Sequence, residues 1–297
     1  MSDNARGALF MVLAMMAFAG EDAFYKHVTA SLPPGFALLL FGLAGLAIFS
    51  GLALRAGQAP LHPASFSRPL LIRSAFETAG RLFFALSLAY TPLSTTSAIL
   101  QATPLVVTAG AALLLGEQVG PRRWIAMSVG FLGVLLILRP TPEAFRADVI
   151  LAVIAMVGFA GRDLATRTSP PAVSRWQLGV LGFGVVALSG AVLMLIDPAP
   201  PRMPDGETLL SLALTAAFGV TAYTLLTQAM RTGEISVVAP FRYSRLLVAL
   251  VIAIVFFGER PDLWTLAGAV LIVGSGIYTL LRGARVQRTA DRAGRAG

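Results

Sequence analysis

The chain repeats one segment of itself, and the repeat carries charged residues inside apolar sequence. Segment 13–26 returns as segment 154–167, with six of 14 positions identical. A Gly-Glu pair at 116–117 returns at 258–259, which is the same offset to within one position. An ionised side chain in an apolar segment is energetically expensive and is usually retained for function. A duplicated apolar chain with internal charges is typical of a secondary transporter.

The composition predicts a membrane protein. Of the 297 residues, 56% are hydrophobic and 13% are charged, and the mean hydropathy is +0.77. A soluble domain carries about 25% charged residues, so we predict a polytopic protein surrounded by membrane lipid. The net charge of +8 comes from scattered arginines without a basic, aromatic-interleaved face, so we predict no nucleic-acid partner. With no cysteine and two histidines, we predict neither a metal site nor a cofactor.

Ten apolar segments of about 20 residues, the length that crosses a bilayer, lie between clusters of proline, glycine and charge. The predicted spans are 6–28, 34–55, 69–91, 94–115, 121–139, 148–168, 174–196, 207–230, 234–257 and 262–282. This pattern predicts an all-α protein with ten transmembrane helices. Because each half has an odd number of spans, the second half enters the membrane inverted relative to the first. We therefore predict a first five-helix repeat at 1–140, an inverted second repeat at 141–283, and a disordered basic cytoplasmic tail at 284–297.

The distribution of basic residues predicts the orientation. With the amino terminus inside, the cytoplasmic side collects 14 Lys and Arg and the outer side 5. Cytoplasmic loops carry the excess of basic residues, so both termini are predicted to be cytoplasmic, in a bacterial inner membrane. Arg6, an apolar run and Ala17-Phe18-Ala19 also fit a signal peptide. Cleavage there would remove half of the repeated motif, so we expect the first span to be retained.

Several motifs resemble the drug/metabolite transporter superfamily in its ten-span EamA branch. These are the five-plus-five plan, the Gly-Glu turns that end at Pro121 and Pro261, and the Thr-Pro-Leu element at 103–105. The resemblance covers nearly the whole chain, and it implies transport of a small metabolite such as an amino acid, riboflavin, S-adenosylmethionine or a sugar. One departure is that many members place Glu-Pro in the ninth span, where this chain has Arg245-Leu246.

Eight ionisable residues lie within the predicted spans. Four are acidic and four basic: Glu21, Asp22, Glu77, Arg81, Arg162, Asp163, Arg242 and Arg245. This balance favours pairing, because an unpaired buried charge is costly. Glu77 and Arg81 stand at positions i and i+4 on one helix face, so they can pair within the helix.

Two interpretations of these charges stay open. The first is that one set of residues forms either a structural network of ion pairs or a proton-coupling site. This set consists of Glu21, Asp22, Glu77, Arg162 and Asp163. A carboxylate in a low-dielectric cavity can take up and release a proton near neutral pH. The second is a substrate site in which Arg242 and Arg245 hold a carboxylate or phosphate. The predicted substrate-binding residues are Arg242, Arg245, Tyr243, Gln101, Arg81 and Tyr223. Pro240 and Pro104 either weaken their helices and free backbone carbonyls to line this site, or form simple packing kinks.

The sequence thus predicts a secondary transporter of a small polar or zwitterionic metabolite, working by alternating access. It contains no GxxxxGK[ST] nucleotide-binding motif, so any driving force must come from gradients. The alternatives are an integral membrane enzyme acting on lipid-linked substrates, or a channel. An enzyme would need a large interfacial loop, and the predicted spans leave only short loops between them, so we predict that the protein is not an enzyme. The sequence does not define the oligomeric state.

Overall fold

Helices form the regular structure of the described part of the chain. The computed structural model describes residues 2–90, 96, 99–139, 149–196, 200, 202–257 and 262–294. Its α-helices are α1 (Asp3–Ser31), α2 (Pro34–Arg55), α3 (Arg68–Tyr90), α4 (Thr103–Leu114), α5 (Pro121–Leu138), α6 (Val149–Arg167), α7 (Arg175–Ile196), α8 (Gly206–Arg231), α9 (Ile235–Val238), α10 (Ser244–Phe257) and α11 (Leu263–Gly294). Two 3-10 helices, Pro63–Phe66 and Ala239–Tyr243, lie among them. No strand occurs in these ranges, so the predicted all-helical class is confirmed for this part of the chain.

Six of the described helices are long and apolar enough to cross a membrane. They are α1, α2, α5, α6, α7 and α8. Each agrees with a predicted span to within three residues at either end. The last helix runs further than expected, because α11 continues to Gly294 and enters the segment predicted to be a disordered tail. Alanine and arginine are frequent in that segment and are good helix formers.

The fourth and ninth predicted spans are interrupted. Gln101 and Ala102 form a turn before α4, and the 3-10 segment Ala239–Tyr243 separates α9 from α10. Pro104 and Pro240 lie at these interruptions. Proline has no backbone N–H and clashes with the preceding turn, so it disfavours a continuous helix. Backbone that leaves the helix inside a membrane must line a cavity or be buried in protein.

Polar contacts outside the apolar segments define several helix ends. The Asp205 carboxylate accepts a hydrogen bond from the Thr208 backbone N–H, 2.8 Å away, and caps α8. Hydrogen bonds from Thr208 hold the pKa of the exposed Asp205 carboxyl below its usual range. Arg139 ends α5 in the left-handed region with φ of 41° and donates to Asp262, which precedes α11. This hydrogen bond joins the ends of two helices from different halves.

Helix packing follows a twofold pattern. The most extensive contacts join α2 to α7, α1 to α8, α3 to α6 and α5 to α11. With the spans numbered one to five within each half, the second spans of the two halves pack on each other, and so do the fifth spans. The first span of each half packs on the third span of the other half. Exchanging the two halves leaves this set of contacts unchanged. The first five and last five predicted spans therefore meet along one shared interface.

Glycines allow the closest crossings at this interface. A Cβ on Gly133 of α5 would lie 2.6 Å from the carbonyl oxygen of Gly268 in α11, and a Cβ on Gly268 would lie 2.5 Å from that of Gly133. In α6, a Cβ on Gly158 would lie 2.6 Å from the backbone nitrogen of Gly80 in α3. Small residues permit such backbone approach where lipid provides little driving force for helix association.

We expect Gly133→Ala to destabilise the protein, because the added methyl group meets a rigid backbone carbonyl. Overpacking of this kind typically costs about 1–3 kcal/mol. Gly51→Ala in α2 is the matched control, since its Cβ would meet nothing within 4 Å and alanine has the better helix propensity. The apparent melting temperature of detergent-purified protein should fall for Gly133→Ala and stay constant or rise for Gly51→Ala. Equal melting temperatures would contradict this close packing.

Candidate functional site

A cavity of about 140 Å³ lies where the two interrupted spans meet α1, α3 and α6. Its polar lining consists of Glu21, Arg81, Gln101, Thr103, Arg162, Arg242 and Arg245. Its apolar lining consists of Met15, Phe18, Phe84, Leu100 and Phe159. The turn before α4 and the 3-10 segment before α10 therefore deliver polar side chains to the same space.

The lining is built from equivalent positions of the repeat. Three pairs of lining residues are separated by the offset that relates segment 13–26 to segment 154–167: Phe18 with Phe159, Glu21 with Arg162, and Gln101 with Arg242. The first pair is identical, the second reverses its charge, and the third exchanges an amide for a guanidinium. The cavity therefore lies where the two halves meet, and its chemistry differs between its two sides.

A fully buried carboxylate, that of Glu77, forms the centre of one ion-pair cluster. Its oxygens lie 3.3 Å from Arg73 Nη1 and 3.5 Å from Arg162 Nη1. Tyr223 of α8 donates its hydroxyl to Glu77 over 2.9 Å and also contacts Arg73. The tyrosine is held by edge-to-face contacts with the rings of Phe49 and Phe183, at 6.0 and 5.7 Å between centroids. Helices α3, α6 and α8 are thus joined through one carboxylate.

Asp163 continues the cluster toward the ninth span. Its carboxylate accepts hydrogen bonds from Arg162 Nε at 3.0 Å and Nη2 at 2.8 Å. Arg242, in the 3-10 segment, donates to the other oxygen of Asp163. The cluster therefore runs without a break from α3 through α6 to the interrupted ninth span.

A second ion pair reaches the same segment from the first half. Arg245 donates to Asp22 of α1, with Nε 3.0 Å from the carboxylate. Asp22 and Asp163 are equivalent positions of the repeat. Each therefore binds one of two arginines that stand at positions i and i+3 of the same segment.

The pairing of Glu77 with Arg81 that their spacing allows is not formed in the described ranges. Glu77 pairs with Arg73, one helical turn in the opposite direction, and Arg73 is 1% exposed. From sequence, Arg73 counted as a basic residue near a membrane surface, although its i, i+4 spacing to Glu77 pointed to a helical pair. Within the described ranges Arg81 makes no ion pair, and its Nε is buried without a hydrogen-bond partner.

The structure separates the predicted substrate-binding residues into two groups. Arg81, Gln101, Arg242 and Arg245 line the cavity. Tyr223 lies within the Glu77 cluster instead, and Tyr243 packs in an apolar cluster with Val134 and Ile272. Of the predicted network residues, Glu21 and Arg162 also line the cavity, whereas Asp22, Glu77 and Asp163 bind arginines around it. No group of acidic and histidine side chains in the described ranges could hold a metal ion.

The solvent exposure of these charged side chains differs between the two ends of the ion-pair cluster. The side chains of Asp22 and Arg245 are 55% and 39% exposed, Arg242 is 13% exposed, and Arg162 and Glu77 are 6% and 0% exposed. The charges are therefore reachable from the Asp22 end and closed at the Glu77 end.

Contacts beyond the closed end also join the two halves. Glu117, after α4, accepts hydrogen bonds from the backbone N–H groups of Ile235 (2.9 Å) and Ser236 (3.1 Å) at the start of α9. The Asn4 side chain accepts from the Glu234 backbone N–H at 2.8 Å. The carboxylate of the first Gly-Glu turn is thus directed to the other half. Its repeat partner, Glu259, lies outside the described residues.

Both halves of the chain match the sequence profile of one known family. The profile of the EamA-like transporter family matches residues 5–139 and again residues 147–281. The chain belongs to the EamA-like transporter family. It is therefore a transporter rather than an enzyme, and a multi-pass bacterial membrane protein that handles a small molecule.

Known proteins show similarity over most of the chain. The riboflavin transporter of Rhizobium johnstonii is 27% identical, covering 95% of this chain and 93% of its own length. An S-adenosylmethionine uptake transporter of Rickettsia bellii is 27% identical over 72% of this chain and 73% of its own length. A solved crystal structure superposes with a TM-score of 0.79 at 20% identity, covering 93% of this chain and 97% of that one. This last likeness shows the fold.

Proposed function

We propose that this EamA-family protein is a secondary transporter that moves a small polar metabolite by alternating access across the bacterial inner membrane. In this proposal, ten spans form two inverted five-helix repeats, at 1–140 and 141–283, with both termini in the cytoplasm. The twofold pattern of helix contacts supports this architecture. The observation that carries it is the cavity lined by pairs of repeat-equivalent residues. A site formed by equivalent positions of two inverted repeats lies near the middle of the membrane.

The lining favours a substrate with an acidic group. Arg81, Gln101, Arg242 and Arg245 supply N–H donors to one cavity, and guanidinium groups match carboxylate and phosphate geometry. Ligand sites commonly have volumes of about 300–1,000 Å³, so a cavity of about 140 Å³ suits a small metabolite in this conformation.

The closed end of the cavity corresponds to the cytoplasmic side in the proposed orientation. The Glu77 cluster and the Glu117 contacts then form a closed inner gate, and the exposed pair of Asp22 and Arg245 faces outward. Opening the inner gate requires Arg242 to exchange a carboxylate partner, and the acidic group of a substrate is a suitable replacement. Substrate binding and gate movement are coupled if one guanidinium serves both.

The carboxylates are suited to proton coupling to different degrees. Glu77 and Asp163 are each engaged by two guanidiniums. Asp22 is half exposed and, within the described ranges, pairs with Arg245 alone, with Glu21 beside it. Asp22 has one arginine partner and open access, so it is the carboxylate at which we test proton coupling.

Arg242→Gln and Arg245→Gln are each expected to reduce transport at least tenfold in proteoliposomes while the protein still inserts. Arg68→Gln, at the exposed start of α3, is the matched control and should transport normally. Because Arg242→Gln leaves Asp163 with one partner fewer, the double variant Arg242→Gln/Asp163→Asn controls for lost stability. Normal uptake by both single variants would overturn the assignment of these arginines.

Asp22→Asn is expected to remove the pH dependence of transport, because an amide cannot exchange a proton. Uptake rates at mildly acidic and mildly alkaline pH should differ in the wild-type protein and be equal in the variant. Glu207→Gln, which changes a 78% exposed carboxylate, should keep the wild-type profile. An unaltered profile in Asp22→Asn would remove Asp22 from the coupling mechanism.

Single cysteines test the orientation directly, since the chain has none of its own. Gln118→Cys lies after α4, and Met203→Cys lies at an exposed position before α8. In whole cells, a membrane-impermeant maleimide should label Met203→Cys and spare Gln118→Cys until the cells are permeabilised. Labelling of Gln118→Cys alone would show that the orientation is opposite to the proposed one. Equal labelling of the two variants would contradict the proposed orientation.

A further inference from the structure

A second concave surface lies on the exposed side of the contact between α5 and α11, apart from the cavity described above. It is a groove of about 250 Å³. Its lining includes Arg122, Ile125 and Val129 of α5 and Gly274, Ser275 and Tyr278 of α11. It shares no lining residue with the cavity, and no acidic residue of the described ranges is part of it. The groove is therefore a separate, mainly apolar surface with one positive charge.

The polar end of the groove lies where both helices reach the membrane surface. Arg122 is the second residue of α5, which is apolar enough to cross a membrane. Tyr278 is the last but one residue of the apolar segment Leu263–Thr279 of α11. Tyrosine and arginine are typical of the layer that contains the lipid headgroups. From Arg122 to Val129 the groove extends about 10 Å by helical rise, which is within the roughly 15 Å of one hydrocarbon leaflet.

The positive charge at this end has no counterpart among the described residues. Arg122 is exposed, and neither it nor Tyr278 forms an ion pair or a side-chain hydrogen bond within the described ranges. Arg282 follows Tyr278 by one helical turn on the same face of α11. The first turn of α5 contains no acidic residue. An anionic group at this end of the groove is therefore attracted by two arginines without competition from a described carboxylate.

The protein is tightly packed behind the groove and open in front of it. Gly130 is buried behind the groove, where an added Cβ would meet the Ser275 hydroxyl at 2.7 Å and the Tyr243 ring at 2.9 Å. Ser275 donates its hydroxyl to the carbonyl oxygen of Ile272 over 2.9 Å. On the groove side, a Cβ on Gly274 would meet nothing within 4 Å. The groove thus has a floor of fixed shape and free space above it.

We propose that this groove binds an anionic phospholipid. The headgroup phosphate accepts hydrogen bonds from Arg122 and Tyr278, and one acyl chain lies along Ile125, Val129 and Gly274. Guanidinium groups match the geometry of phosphate oxygens, and basic pockets between transmembrane helices bind anionic headgroups. A soluble anion leaves the apolar part of the groove empty. A zwitterionic lipid brings a second positive charge close to Arg122.

Native mass spectrometry of the full chain in detergent tests the proposal. The protein is given an equimolar mixture of palmitoyl-oleoyl phosphatidylglycerol and palmitoyl-oleoyl phosphatidylcholine, which share their acyl chains and differ in headgroup charge. The wild-type protein should retain phosphatidylglycerol over phosphatidylcholine by about fivefold, the gain expected from one arginine beside an anionic headgroup. Arg122→Gln should lose this preference, and Arg122→Lys should keep most of it. Gly274→Leu should retain less of both lipids, because the added side chain fills the groove.

Two control variants match these changes outside the groove. Arg68→Gln removes another exposed arginine, at the start of α3. Gly184→Leu adds the same side chain in α7, where a Cβ would also meet nothing within 4 Å. Both controls should retain the two lipids in the wild-type ratio and amount.

Four results would overturn the proposal. The first two are equal retention of both lipids by the wild-type protein and an unchanged preference in Arg122→Gln. The third is a rise in the apparent melting temperature with inorganic phosphate as large as that with phosphatidylglycerol, because the ligand would then be a soluble anion. The fourth is a dimer that Gly274→Leu dissociates, because a second copy of the chain would then fill the groove.

The proposal is decided by binding alone. Where Gly274→Leu does not fold, as judged by its melting curve, Arg122→Gln still decides, because it changes an exposed side chain. None of these measurements involves transport. A negative result therefore leaves the proposed transport function intact, and a failure of that function leaves the lipid site intact.

Discussion

Neutralising charge away from water is the constraint on which this structure depends. Five ionised side chains, Arg73, Glu77, Arg162, Asp163 and Arg242, form a continuous alternation of guanidinium and carboxylate. Removing one partner of a buried pair typically costs about 3–5 kcal/mol, because it leaves the other charge uncompensated. The alternation therefore fixes α3, α6 and the interrupted ninth span relative to one another.

The same constraint limits how such a protein can move. A helix that carries a buried arginine cannot leave one carboxylate without meeting another anionic group. The ninth span satisfies this condition, because Arg242 and Arg245 bind the repeat-equivalent Asp163 and Asp22 from opposite halves. A ligand that brings its own carboxylate supplies a third partner. In the proposed alternating-access cycle, charge pairing is a physical reason for the protein to remain closed when empty and to move when a substrate is bound.

How much of the structure can be predicted from the sequence depends on whether an interaction is between neighbouring residues or between residues far apart in the chain. The prediction of the span 34–55 is right to the residue, since Pro34 and the apolar run are local signals. The interruption at Pro240 follows from the missing N–H of proline. The partner of Glu77 does not follow, because both Arg73 and Arg81 stand one turn away and only tertiary packing distinguishes them. Placing Tyr223 within the ion-pair cluster requires α8 to be set against α3, which no local pattern reports.

The inner and outer ends of the proposed repeat are chemically unequal. The repeat equivalents of Arg73 and Glu77 are Leu214 and Phe218, so the second half replaces the ionic cluster with apolar side chains. Phe218 stacks on Phe24 with ring centroids 5.7 Å apart. An ionic gate opens only by exchanging partners, whereas an aromatic contact separates without leaving a charge unpaired. Two inverted halves with identical gates would populate both orientations equally. In the proposed alternating-access cycle, this difference favours closure at the Glu77 end, where the charged side chains are buried in this structure.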